Sequence, residues 1–159
     1  MLGAVHASTD DAGEQALNMK IVDLTLLMAR LEQGSPTVLQ AWAPFAEPLV
    51  RSHYSNEAYS SYIDEVRRQA EGDLARLADA SGGRLTPGQV ELRRGQPEDV
   101  IPEFVVAQGI DLVVMGSVAR SGIAGLLIGN TAERVLRRLP CSVLAVKPDG
   151  FVSPVRPDA

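Results

Sequence analysis

Few side chains in this sequence are of the types that do covalent chemistry. There are two histidines, His6 and His53, and one cysteine, Cys141. The spacing that suggests a site is one of glycines. Asp111 to Gly116 reads DLVVMG, an apolar run of strand character. SVARSGIAGLLIGN follows, a loop studded with Gly122, Gly125 and Gly129. TAERVLRRL then has helical period, with Ala132, Val135, Leu136 and Leu139 on one side, and PCSVLAVK is a second apolar strand. A strand, a glycine-rich loop, a helix N-terminus and another buried strand form a phosphate cradle on a parallel sheet, because free backbone N–H groups and the helix dipole face an anion there. The dipole contributes about 0.3–1 kcal/mol. Asn130 suits the helix N-cap, with Glu133 three residues on completing a capping box. Its amide could equally donate to an oxyanion. Arg120 either neutralises phosphate or is a solvated surface side chain.

Other chemistries lack their residues. No Gly-Lys-Ser/Thr follows the glycine loop, so no lysine reaches a terminal phosphate. There is no Gly-x-Ser-x-Gly elbow, no metal-spaced His/Cys cluster and no nucleophile–base–orienter set. Cys141 after Pro140 reads as a small buried residue. A binding module is expected, not an enzyme.

Composition narrows the class. A chain of 159 residues fits one domain. With 45% apolar and 22% charged residues it has the balance of a globular protein. A formal net charge of −5 argues against a nucleic-acid surface. One cysteine excludes an internal disulfide framework and fits a reducing compartment. No 18-residue apolar run spans a membrane, and the N-terminus lacks the pattern of a signal peptide. A cytoplasmic location is expected.

The elements that must position the loop follow in order. Leu2–Ala7 reads as a buried strand. A helix is predicted over 11–33, its stripe made of Ala16, Leu17, Met19, Ile21, Leu24, Leu27, Met28 and Leu31, and Gly34-Ser35-Pro36 stops it. Thr37–Ala43 is a second strand, and 44–56 reads as a loop across the sheet. Asn56–Ala80 is a helix with Ile63, Val66, Ala70, Leu74 and Leu77 inward. Gln89–Arg93 alternates like a strand near an edge. Pro97 opens a helix capped by Gly109, with Val100, Ile101, Phe104 and Val105 inward. Ile110–Met115 and Ser142–Lys147 complete the strands. Continuous apolar strands alternating with amphipathic helices mean a parallel sheet covered on both faces. Ligands bind such sheets at the carboxyl ends, where strand order switches. If the first and fourth strands flank that point, Val5, His6 and Ala7 face Met115, Gly116 and Ser117.

The segment GSVARSGIAGLLIGNTAERVLRRLPCSVLAVK, with RRGQPEDVI, DLVVMGS and the opening strand, resembles the universal stress protein family over nearly the whole chain. GNTAE and KPDGFVSPV are most similar to the C-terminal half of tandem, E-type members, and the entry into a strand at Leu2 fits one half of such a chain. The resemblance implies a three-layer α/β/α Rossmann-like fold of the adenine nucleotide alpha hydrolase-like kind, a five-stranded parallel sheet in the order 3-2-1-4-5. It implies a domain over 1–148 and a tail over 149–159. It also implies pairing through the fifth strand, Cys141 to Lys147, with a second copy or a tandem domain.

The resemblance carries a nucleotide loop over residue by residue. ATP-binding members have Gly, two residues, Gly, nine residues, Gly, then Ser or Thr. Gly116 and Gly129 fill the first and third glycine positions. Ala119 stands at the second, and its Cβ costs about 1–2 kcal/mol in a left-handed conformation. Asn130 stands where Ser or Thr is expected, with Thr131 one place later. His6 replaces the Asp that contacts the nucleoside; a neutral imidazole can still accept one hydrogen bond. Ala41 and Trp42 fall where the second strand lines the adenine pocket, Trp42 stacking on a base or packing in the core. The implied activity is that of a stress-response regulatory module binding ATP, with magnesium, weakly or not at all. The alternatives are a competent ATP-binding member and a nucleotide-hydrolysing enzyme of the same superfamily.

Overall fold

A computed structural model describes residues 1–117 and 128–151. The elements are β1 (Leu2–Val5), α1 (Ala12–Leu31), β2 (Thr37–Trp42), α2 (Glu47–His53), α3 (Asn56–Ala80), a 3-10 turn (Pro87–Gln89), β3 (Val90–Arg94), α4 (Pro97–Gln108), β4 (Leu112–Gly116), α5 (Asn130–Leu136) and β5 (Ser142–Val146). The strands form one parallel sheet in the order β3-β2-β1-β4-β5. This is the expected order, with β1 central and the switch point between β1 and β4.

Strand alternation sends successive side chains to two separate cores. Leu2, Ala4, Leu39, Val113 and Met115 pack under α4 and α5 with Val100, Ile101, Val105, Ala132 and Val135. Val5, Val38, Val114 and Val146 pack under α1 and α3 with Ile21, Val22, Leu74 and Leu77. A layer of helices on each face of the sheet gives the three-layer architecture.

The face of α1 differs from the predicted stripe. Its buried residues are Asn18, Ile21, Val22, Thr25 and Ala29, whereas Leu27 and Leu31 are exposed. Two polar residues lie on the inner face because their side chains find backbone partners there, Asn18 at the β1 exit and Thr25 within α1 itself. Thr25 Oγ1 donates to the Ile21 carbonyl at 2.7 Å. It sits over Gly3, where a Cβ would come within 2.6 Å of that oxygen, so the absence of a side chain on β1 lets the helix approach.

The span 44–56, expected to be a loop, holds α2. It is too short to show a helical period, and Pro44 and Pro48 masked it. α3 starts and ends at the predicted residues, since Ser55 Oγ accepts from the Ala58 amide at its start. α5 begins one residue earlier than its apolar pattern. Asn130 is its first helical residue and Gly129 is the N-cap, with φ −72° and ψ 147° and no side-chain cap bond. The expected capping box on Asn130 is therefore not formed, because the glycine takes the cap position.

Candidate functional site

The switch point is built by the exits of β1 and β4. The pairing of Ala4 with Met115 sets their register, so His6 and Ser117 leave the sheet side by side. Beyond Val5 the strand ladder of β1 gives way to two side-chain amides. Asn18 on α1 accepts from the His6 amide at 3.1 Å and donates to the His6 carbonyl at 2.8 Å. Gln40 on β2, buried at 1% exposure, accepts from the Ala7 amide at 3.1 Å and donates to Ser8 Oγ at 2.9 Å. Each amide presents a donor and an acceptor as a peptide unit does, so His6–Ser8 is held as though another strand flanked it. Neither residue was predicted to take part. The available signal was a polar residue inside an apolar strand and another inside an apolar helix face.

On the β4 side, Gly116 lies against Leu17, whose Cδ2 would be 3.1 Å from an added Cβ. Ser117 donates its amide to the Val146 carbonyl at 3.2 Å, and its carbonyl accepts from the Gly129 amide at 2.9 Å. Its backbone thus joins β4, β5 and the start of α5. Its hydroxyl is buried at 3% exposure and has no hydrogen-bond partner among the described residues. A buried hydroxyl left unpaired costs about 1–3 kcal/mol, and such groups need an explanation. Gly129 is buried, while Asn130 and Thr131 are exposed at the first turn of α5.

The candidate residues therefore separate. His6, Gly116, Ser117, Gly129, Asn130 and Thr131 fall around the β1–β4 exits. Val5 and Met115 belong to the two cores, one on each face. Ala41 packs against the α4/α5 core. Trp42, one residue on, points to the opposite face, into a groove of about 410 Å³ beside α3. Ala119, Arg120, Gly122 and Gly125 lie outside the described residues, as does the tail from 152. Cys141 is half-buried, and its thiol is pushed up by burial and then by the charge of Asp111. That favours the thiol over the thiolate. No group of three or more His, Cys, Asp or Glu among the described residues could hold a metal ion. No helix among them is long and apolar enough to cross a membrane.

A central strand with crossovers to both sides and helices on both faces defines a Rossmann-like α/β domain. The universal stress protein family model matches residues 7–147, and the chain belongs to that family. Universal stress protein E of Escherichia coli K12 is 30% identical over 157 residues, which cover 99% of this chain and 49% of that protein. The chain thus spans about half the length of that relative. A functionally unknown protein of Pseudomonas aeruginosa PAO1 superposes with a TM-score of 0.69 at 26% identity, over 93% of this chain and 47% of that one. A universal stress protein solved in complex with cAMP superposes with a TM-score of 0.58 at 23% identity, over 94% of this chain and 98% of that one.

Proposed function

We propose that this domain is a regulatory binding module that takes an adenine nucleotide at the exits of β1 and β4 and catalyses no reaction of its own. The observation that carries the reading is the Ser117 hydroxyl, buried at the switch point with no partner among the described residues. A ligand oxygen there would satisfy it. Gly129 leaves the approach to α5 without a side chain, and the exposed amide of Asn130 can donate to phosphate. The cAMP held by a relative of the same fold supports the ligand class.

The affinity is expected to be weak. Ala7 N–H and Ser8 Oγ, two groups at the β1 exit, are already engaged by Gln40. His6 offers an imidazole where a carboxylate would hold ribose hydroxyls. Magnesium would come with the phosphates, since no metal-binding cluster is present among the described residues. The module pairs through β5, which bears no charged residue.

Calorimetric titration of the domain with cAMP, and with ATP and magnesium, tests the site. Ser117→Ala is expected to weaken binding roughly fivefold, the loss of one hydrogen bond of about 1 kcal/mol. Gly129→Glu, which puts a carboxylate at the helix cap, is expected to remove it. Phosphate release from ATP should not exceed that of Gly129→Glu; release well above it would make the domain an enzyme. Absence of heat with either nucleotide at millimolar concentration would sink the nucleotide reading and leave a module that acts by assembly alone.

A further inference from the structure

Away from the switch point, one carboxylate ties three elements together. Glu47, the first residue of α2, accepts through Oε1 from the Tyr59 hydroxyl of α3 and from Arg94 Nη2 of β3, the latter at 2.5 Å. The Tyr59 hydroxyl also receives an Arg94 bond at 3.3 Å. The Arg94 guanidinium in turn lies 5.8 Å from the centre of the Trp42 ring, at the mouth of the groove lined by Trp42, Ile63, Arg67 and Leu92. Position of the helix, placement of the guanidinium and cover of the indole are thus linked through Glu47.

The helix has modest support besides that carboxylate: the Tyr62 hydroxyl donates to the Phe45 carbonyl at 3.3 Å, and the Arg51 guanidinium lies 5.8 Å from the centre of the Tyr59 ring. Seven residues are too few for a helix to hold by its own hydrogen bonds. Its N-cap, Ala46, sits in the left-handed region at φ 49° and ψ 36°, where a residue with a Cβ is strained, and its methyl side chain cannot cap the first amides. The residues flanking it, Phe45 and Tyr54, are 88% and 62% exposed, so apolar burial adds little at either end. A strained entry, a missing cap and exposed ends make a segment that opens locally unless something fastens it.

We infer that α2 is a hinged flap, turning at Ala46 and latched shut by Glu47, and that its opening releases Arg94 from the indole of Trp42. Three groups face the Glu47 carboxylate: the Tyr59 hydroxyl from α3, the Arg94 guanidinium from β3 and Arg51 on α2 itself. The Tyr59 bond, then the charge of Arg94, hold the carboxyl below its ordinary range, against the opposing effect of burial. The latch is therefore closed at neutral pH. It opens as acid brings the pH down through that lowered value, when the protonated carboxyl loses its ion pair.

Trp42 is the single tryptophan, so its emission reports the latch directly. Amide hydrogen exchange of 47–53 and Trp42 emission are followed in the whole chain, in Glu47→Gln and in Tyr59→Phe. Loss of a charge-assisted bond should speed exchange of 47–53 on the order of tenfold in Glu47→Gln. The emission should shift and exchange in β1 and β4 should stay unchanged, with a smaller change of the same sign in Tyr59→Phe. The unaltered chain should reach the Glu47→Gln emission on acidification before its core exchanges. Exchange unchanged in both variants, or raised equally in β1 and β4, overturns the latch.

Discussion

Gly3 shows how much one residue decides in this sheet. Its missing Cβ is what allows Thr25 to lie flat on β1. Gly3→Ala adds a methyl that meets Thr25 Oγ1 at 2.6 Å, and such overpacking costs about 1–3 kcal/mol. Replacing a strand glycine recovers about 0.5–1 kcal/mol of backbone entropy, so the net loss is expected near 1–2 kcal/mol in urea unfolding. Thr25→Ala removes the clash, so the double variant should be more stable than the sum of the single changes allows. Simple additivity would mean that the clash relaxes elsewhere. Ser117 is the counterpart at the ligand end. Its position was legible from DLVVMGS, but its significance was not, because burial of a hydroxyl with no partner among the described residues depends on how β5 and α5 close around it.

At the scale of elements, legibility followed period and punctuation. α3 was readable because Ile63, Val66, Ala70, Leu74 and Leu77 make a long stripe that Ser81-Gly82-Gly83 closes, and α4 because Pro97 and Gly109 bracket it. α2 was hidden by its length and its prolines. α1 was found, but its face was misjudged. Polar Asn18 and Thr25 are buried for what they bond, and hydrophobic period carries no trace of that. Asn18 is the clearest case, since it extends β1 by holding both backbone groups of His6. Asn18→Leu keeps the branched shape and the number of side-chain heavy atoms and removes the partner of that amide and carbonyl. Each orphaned group costs about 1–3 kcal/mol. The variant is therefore expected to lose about 2–6 kcal/mol and to exchange the His6 and Ala7 amides faster, while α3 keeps its protection. Slow exchange at His6 in that variant would show that the sheet holds the β1 exit without the amide.

At the scale of the molecule, the two edges of the sheet are unlike. β3, at one edge, carries Glu91, Arg93 and Arg94, and charges on an edge strand deter pairing with another chain. β5, at the other, reads SVLAV and pairs only with β4 among the described residues. An uncharged edge strand is an aggregation hazard unless a defined partner covers it. A second copy brings the same uncharged strand, and a two-fold arrangement closes the assembly so that only the charged β3 edges remain. The proposed pairing through β5 follows from this asymmetry as well as from the resemblance. Ala145 is exposed on that strand, and Ala145→Lys would place two like charges near the axis. Light scattering is expected to give twice the chain mass for the unaltered domain and the single mass for Ala145→Lys, with urea midpoints of the monomer little changed. A single mass for both would leave β5 uncovered in the isolated domain and would assign its cover to a different partner. Twice the mass for both would place the interface elsewhere, with the exposed Phe45 and Tyr54 beside α2 as the next surface to test.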